Sequence, residues 1–296
     1  MNKGFSLLEL LIATTICAVI AAGIAVVVPP SRAAFERTPA ELDLQQRGRT
    51  AVDVILQAIR TAGGDAVAAE EFGPLAGVVP AVIPFDLDPS GRWFRRLSVI
   101  VPPRDAAQGV LWQHQAGAGG DLVLSTARCP IAPIICGFNS GTTAVIADGS
   151  GRFDVFSIAA VQAATARITP ARRLRGAYAA GSIVVEVDAF TFQLDAQPDA
   201  SLSLVRVTAG GAVQPVVDRI ASLRFEPYGF DPAGELAPIP AEEFADGPWW
   251  SGGPDGDYDD DVFRVKRVDV VITLQAAHPL AVLRTFRFAA FLRNVP

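Results

Sequence analysis

The N-terminal segment "KGFSLLELLIATTICAVIAAGIAVVVPP" constrains this chain more than any other part of its sequence. Residues 5–28 are apolar or small, and Glu9 is the only charged residue among them. As an α-helix they would extend roughly 36 Å, which is enough to cross the hydrocarbon core of a bilayer. The rest of the chain is therefore expected to fold beside a membrane-spanning helix.

Three ordinary explanations of this segment fit less well. A secretory signal peptide has a shorter apolar run, a longer basic region and a clear Ala-x-Ala cleavage site. A simple signal anchor leaves Glu9 unexplained, since a carboxylate at the centre of such a helix costs about 2.5–3.5 kcal/mol, and less near an end. A buried helix of a soluble domain is rarely so long and so uniformly apolar.

A fourth explanation accounts for the glutamate. The stretch "GFSLLEL" at residues 4–10 resembles the class III signal of type IV pilins and pseudopilins. In that family a dedicated peptidase cuts after the glycine, the new N-terminal residue is methylated on its amine, and the glutamate is retained. The resemblance implies a cleaved leader at residues 1–4, cleavage between Gly4 and Phe5, N-methylation of Phe5, and a role for Glu9 in subunit assembly and register.

The position of Glu9 has a physical reason. Cleavage leaves a positive amine on Phe5, and Glu9 lies one helical turn further along. Its carboxylate can pair with the amine of its own chain or of a neighbouring subunit. An intersubunit pair would offset the buried charge and set the axial register of packed helices, which is the best-attested use of a buried polar group among helices.

Residues 29–62 predict a periplasmic, amphipathic continuation after a membrane helix at 5–28. The pair Pro29-Pro30 favours a kink or a break, and Gly63-Gly64 suits a helix C-terminus. Apolar side chains recur at helical spacing on one face, at Val52, Ile55, Leu56 and Ile59. The stretch "QQRGRTAVDVILQAIRTAGG" resembles PilW-type minor pilins, and J-type pseudopilins of type II secretion share a related pattern.

Residues 63–296 predict a β-rich domain, because short apolar or alternating runs are separated by glycine, proline and aspartate. We predict strands at 97–101, 121–126, 143–147, 152–159, 182–194, 201–208, 219–227, 263–275 and 281–293. In the penultimate run, one face carries Val268, Val270, Ile272 and Leu274. The predicted fold class is α+β: a pilin-like long N-terminal helix, transmembrane in its first half and amphipathic in its second, packed on a large antiparallel β-sheet domain.

Two local features suggest chemistry in the soluble part. Cys129 and Cys136 enclose a short loop and are expected to form a disulfide if the domain lies outside the cytoplasm, whereas Cys17 stays free. The acidic stretch "GGPDGDYDDDVF" offers Asp255, Asp257, Asp259 and Asp261 as possible Ca²⁺ ligands. Its spacing departs from an EF-hand after the third aspartate, so a solvated acidic turn is the competing interpretation.

Enzymatic activity is not expected. The chain has 2 histidines and 3 cysteines, and it contains no nucleophile elbow, phosphate-binding loop or zinc-protease motif. The net charge of -6 argues against general binding of nucleic acid, although the run "RITPARRLRGAY" is a local exception best explained as an exposed loop. The pair Trp249-Trp250 suits either an exposed contact patch or a strand-end cap.

The sequence thus predicts a structural protein without a cofactor, other than the possible Ca²⁺. The resemblance implies a minor pilin of a type IV pilus, in a priming or tip complex, with a J-type pseudopilin as alternative. A tip adhesin or DNA-binding module is an alternative of another class. Expected partners are other minor pilins, the major pilin, the prepilin peptidase and methyltransferase, the inner-membrane assembly platform and membrane lipid. The N-terminus is expected in the cytoplasm and the C-terminal domain in the periplasm, and later at the cell surface.

Overall fold

The computed structural model of the protein describes residues 7–63, 80–103, 105–115, 120–127, 135–148, 152–240, 244, 261–276 and 282–292. Within these ranges, the side chains of residues 25–37 and 261 are not described. The described residues form one long and one short α-helix, a single 3-10 turn at Ala163–Thr165, and fifteen strands in two curled antiparallel sheets. This is the predicted α+β, pilin-like arrangement of a long N-terminal helix and a large antiparallel β-sheet domain.

The helix α1 (Leu7–Thr61) is continuous over 55 residues, or roughly 80 Å at about 1.5 Å per residue. It runs through Pro29-Pro30 without interruption, so of the predicted kink or break the break is wrong, and the kink stays a prediction. The C-terminus is as predicted: α1 ends at Thr61, and Gly63 adopts a left-handed conformation with φ of 75°. The amide of Gly63 donates to the carbonyl of Ile100 at 2.9 Å, which ties the helix end to the sheet.

The second half of α1 buries one stripe of side chains. Ile55 and Ile59 are fully buried, as predicted, while Val52 and Leu56 lie only partly buried at its margin. The stripe is completed by Leu44, Gly48, Ala51, Ala58 and Ala62. Most of these added residues are small, which lets the helix backbone approach the sheet closely. The sequence prediction followed the large apolar side chains and missed the small ones.

The strands have the following bounds. They are β1 (Val82–Leu87), β2 (Phe94–Val101), β3 (Gln108–Val110), β4 (Leu122–Val123), β5 (Thr143–Ala147), β6 (Phe153–Gln162), β7 (Arg167–Pro170), β8 (Ile183–Glu186), β9 (Asp188–Ala196), β10 (Leu202–Thr208), β11 (Val213–Val217), β12 (Ile220–Phe230), β13 (Leu236–Pro238), β14 (Arg267–Gln275) and β15 (Leu283–Phe291). A short helix, α2 (Asp261–Arg264), precedes β14.

The larger sheet has nine strands and carries the helix. Its order is β11-β10-β9-β2-β12-β14-β15, with β1 paired to β2 and β13 paired to β12. The predicted alternation of β14 is confirmed, because Val268, Val270, Ile272 and Leu274 are all fully buried. These side chains share one core with the buried stripe of α1.

The smaller sheet is an insertion between β2 and β9, which pair directly with each other. Its six strands have the order β3-β8-β5-β6-β7-β4. An isolated bridge between Leu111 and Leu124 joins the two ends of this order, so the sheet curls back on itself. We call this unit, residues 105–187, the inserted barrel. It encloses a second core that includes Phe138, Phe156 and Tyr178.

The two units are joined by strands that face both cores. In β5, Ala144 and Ile146 belong to the core of the inserted barrel, whereas Val145 and Ala147 belong to the core under α1. Strand side chains alternate between the two faces of a sheet. Because both faces of β5 are buried, the strand needs apolar residues at consecutive positions. The inserted barrel is therefore packed against the main domain and is not a separate tail.

Several strand predictions need correction. The predicted strand 182–194 is two strands, β8 and β9, separated at Val187 where the chain passes from one sheet to the other. The predicted strand 263–275 begins as α2. Five strands were not predicted: β1, β3, β7, β11 and β13. Most of these lie at or beside a sheet edge, where little burial is needed and the sequence signal is correspondingly weak.

Candidate functional site

The first third of α1 is an apolar surface without a protein partner in the described part of the chain. Residues Leu7–Ile24 have a mean hydropathy of 2.3, and no residue of this window is buried. Leu7 is 80% exposed and Val19 is 72% exposed, on different faces of the helix. A helix that is apolar all round requires an apolar environment all round. By length and composition the segment can cross a membrane.

The two threonine hydroxyls of this segment are satisfied within the helix. The hydroxyl of Thr14 donates to the carbonyl of Leu11 at 3.0 Å. The hydroxyl of Thr15 lies 2.8 Å from the carbonyl of Leu11 and 2.9 Å from that of Ile12. Such bonds to the preceding turn let a hydroxyl enter lipid without an unpaired donor.

Glu9 lies in the first turn of α1. A carboxylate at this place is favoured by the positive end of the helix dipole, independently of any partner subunit. Gly4 and Phe5 lie outside the described residues, so the cleavage site and the methylated amine remain predictions from the sequence. Glu9 is therefore a charged residue at the N-terminal end of the exposed apolar surface.

The base of α1 is fixed to the sheet by contacts that the sequence prediction missed. The guanidinium of Arg47 donates to the carbonyls of Asp218 and Gln275, at 3.0 and 3.1 Å. It also pairs with Asp43 one turn earlier, at 2.7 Å. A Cβ atom on Gly48 would overlap the ring of Phe286 in β15, so a larger residue would force that ring to move. In the sequence, the glycine at position 48 within the amphipathic stripe could have indicated this close contact between helix and sheet.

Of the two predicted disulfide partners, only Cys136 is described. It is 8% exposed and lies in the core of the inserted barrel, where its sulfur faces Gly109 of β3. Cys129 lies outside the described residues, and the disulfide therefore stays a prediction. Cys17, on α1, is free and exposed.

The predicted calcium ligands also fall mostly outside the description. Asp255, Asp257 and Asp259 are not described, and of Asp261 only the backbone is, as the first residue of α2. Among the described residues, no three His, Cys, Asp or Glu side chains are grouped so as to hold a metal ion. The calcium site at the acidic loop remains untested. The pair Trp249-Trp250 lies outside the described residues as well.

The arginine-rich run is partly a strand and is anchored to the inserted barrel. Its first four residues form β7, and its backbone amide at Arg175 donates to Asp154 at 2.7 Å. The hydroxyl of Tyr178 donates to the same carboxylate at 3.0 Å. Burial raises the pKa of Asp154, and these hydrogen bonds oppose the rise. The expectation of a simple exposed loop is therefore only half right.

Comparison with known proteins gives one match, at the N-terminus. The family model for the prokaryotic N-terminal methylation motif matches residues 1–25. The comparisons with curated proteins and with solved structures find no match. The matched residues are those that precede and form the exposed apolar surface. The motif, together with this helix and its β-sheet domain, supports a type IV pilin-like or pseudopilin-like protein, and it implies processing by a prepilin peptidase and assembly with other pilins.

Proposed function

We propose that this protein is a minor pilin, a structural subunit that helps to start or cap a type IV pilus. The observation that carries the proposal is the exposure of the entire apolar window Leu7–Ile24 on a helix whose other end is fixed to a large domain. The helix is suited to wait in the inner membrane and then to pack among the helices of other subunits. The role is structural, and no catalytic step is part of it.

The size of the domain supports a minor position in the filament. The nine-stranded sheet and the inserted barrel together form a bulky head beside one helix. A head of this size is hard to repeat along a dense helical filament, but it is accommodated at a tip or in an initiating complex. The resemblance of residues 45–64 to PilW-type minor pilins points the same way.

The proposal also gives the protein an orientation and a set of partners. Lys3 would keep the N-terminus in the cytoplasm, and the β-sheet domain would lie in the periplasm before assembly. The partners would be other minor pilins, the major pilin and the assembly platform in the inner membrane. In a periplasm kept oxidising, Cys129 and Cys136 would form a disulfide.

The test compares three single variants in cells that make the protein. We expect Gly4→Ala to leave the leader uncut, which gel mobility and N-terminal mass spectrometry detect. Glu9→Val should be processed normally but should enter filaments poorly, because the carboxylate that pairs with a neighbouring amine is gone. The matched control is Glu41→Val, which removes an exposed glutamate from the same helix outside the apolar window. Normal assembly of both Gly4→Ala and Glu9→Val would refute the proposal.

The same strains separate the pilus from the alternative. Loss of surface pili with normal protein secretion would support the minor pilin. Loss of secretion of folded proteins with normal pili would instead identify a pseudopilin of the J type.

A further inference from the structure

We propose that the protein has a binding cleft for acidic carbohydrate that no described residue of α1 lines. The cleft has a volume of about 410 Å³ and lies between the nine-stranded sheet and the inserted barrel. One wall comes mainly from β2 and β9, with residues of β1 and β10, and the other comes from β5, β6 and the loop after β7. Nothing in the filament role requires this cleft.

The sheet wall is the face of β2 opposite to Leu97 and Val99, although Ile100, Val155 and Phe190, which also line the cleft, belong to the core under α1. Leu97 and Val99 of β2 are fully buried in that core. Ser98 lies between them, so its side chain points to the opposite face, where it is paired with Thr191 of β9. A ligand on this face would not compete with the helix, and it would remain accessible after α1 has entered a filament.

The cleft is cationic although the protein as a whole carries a net charge of -6. Arg96 and Arg172 contribute to opposite walls, and in the described part of the chain no aspartate or glutamate lines the cleft. The nearest compensating group is Asp86, which pairs with Arg96 at 3.3 Å but also with Arg95 at 2.6 Å. One carboxylate shared by two guanidinium groups leaves a positive charge beside the cleft.

Arg172 is held in position, and the described residues use only one of its guanidinium donors. Its Nη2 donates to the carbonyl of Val155 at 2.8 Å, and within the described residues the guanidinium pairs with no carboxylate. A guanidinium has five N–H donors in a planar fork that matches a carboxylate. Arg96 is likewise oriented, with its guanidinium carbon 5.9 Å from the centre of the Phe85 ring.

The remaining polar side chains are neutral and suited to a polyol. Thr143 and Ser157 face each other across β5 and β6, and within the described residues their hydroxyls have no hydrogen-bond partner. On the other wall, the hydroxyls of Ser98 and Thr191 lie 2.8 Å apart, so one donates and the other keeps its hydrogen for a ligand. Gln193 adds an amide.

These groups together favour a carboxylated sugar, such as a uronate residue of a polysaccharide. Two positive charges, one of them partly compensated, suit a single carboxylate better than a chain of phosphates, which proteins bind with many cationic and backbone donors. Hydroxyl groups that both donate and accept match the hydroxyls of a sugar ring. The volume is within the range of sites for small molecules.

The test measures binding of trigalacturonic acid to the full chain in non-ionic detergent, by isothermal titration. We expect saturable binding that the neutral galactose trisaccharide does not reproduce. Arg172→Gln and Arg96→Gln, on opposite walls, should each weaken it about tenfold or more. Arg173→Gln is the matched control, because this exposed neighbour of Arg172 does not line the cleft, and it should leave binding unchanged.

Three results would overturn the proposal. The first is the absence of binding at millimolar trigalacturonic acid, and the second is equal binding by the neutral trisaccharide. The third is equal competition by inorganic phosphate or by a single-stranded oligonucleotide, which would identify a general anion site. Thr191→Val guards against misfolding of an arginine variant, because it keeps both guanidinium groups and should still reduce the affinity. Unchanged affinity in all three cleft variants would also count against the proposal.

Discussion

The two ends of α1 belong to one continuous helix and yet make opposite demands on their surroundings. Between Leu7 and Ile24 every residue is exposed, and apolar side chains surround the axis. Near the C-terminus, fully buried residues such as Ile55 and Ile59 form a single stripe and polar residues occupy the other faces. The apolar side chains of the first end are exposed, whereas the second end is part of the core of the domain.

This contrast shows how one element can serve two assemblies. A one-sided stripe is satisfied by one sheet, so the second end folds with its own chain. An all-round apolar surface needs lipid or a ring of other helices, so the first end depends on its environment. We therefore expect substitutions at the first end to change membrane association, and substitutions at the second end to change the free energy of unfolding.

The largest effect is expected for Ile16→Asp, near the middle of the apolar window. A carboxylate there costs about 2.5–3.5 kcal/mol of membrane insertion. The fraction of protein that resists alkaline extraction from membranes should fall, while the unfolding of the β-sheet domain should not change. Leu42→Asp is the control, because Leu42 is 60% exposed on the same helix but lies outside the window. If both variants lost membrane association equally, the contrast between the two ends would fail.

A smaller effect on a different quantity is expected for Gly48→Ala. The new methyl group would overlap Phe286, and overpacking of this kind costs about 1–3 kcal/mol. Better helix propensity returns roughly 1 kcal/mol of that cost. We expect a net loss of up to about 2 kcal/mol in the free energy of unfolding, measured by chemical denaturation in detergent.

The matched control for that variant is the glycine at the other end. A Cβ atom on Gly23 would meet nothing within 4 Å, so Gly23→Ala should not destabilise the domain. Combining Gly48→Ala with Phe286→Leu should show coupling, since the smaller side chain makes room. Equal stability of Gly48→Ala and Gly23→Ala would show that the helix is not seated as closely as described.

The smallest effect is expected for Arg47→Met. The variant keeps much of the apolar volume but leaves the carbonyls of Asp218 and Gln275 without this donor, for a loss of about 1 kcal/mol in unfolding free energy. Arg49→Met, which changes an exposed arginine two residues away, should be neutral within about 0.5 kcal/mol. Membrane extraction of both variants should be normal, because neither lies in the apolar window.

Much of the fold was predictable where the pattern was long and regular. The apolar segment, the end of α1 at Gly63 and the alternation of β14 are all carried by residues close in sequence. The passage at Val187 was not predictable, because strand-forming residues continue through it and only the pairing partners of β8 and β9 differ. The continuity through Pro29-Pro30 was missed because prolines remove hydrogen bonds locally, which a long helix can tolerate.

The candidate sites divide in the same way. The segment around Glu9 was recognisable because the motif and the apolar run are contiguous. The cleft with Arg96 and Arg172 was not, since its two walls come from the main sheet and the inserted barrel, which lie far apart in the sequence, and Arg96 lies in no motif. The arginine-rich run was visible, but only the fold shows that Arg172 faces the cleft and that the strand before it is part of a sheet.

By itself the sequence determined that this chain carries a membrane-length apolar helix, a pilin-like N-terminal motif and a β-rich domain. Composition and local spacing are sufficient for these, since hydrophobicity and helical period act between neighbouring residues. Only the tertiary structure decided that the six-stranded barrel is inserted between β2 and β9, that small residues seat α1 on the sheet, and that two distant arginines share one cleft. Those features depend on contacts between residues far apart in the chain. The energy of such contacts comes from tertiary packing, which hydrophobic period and local composition do not encode.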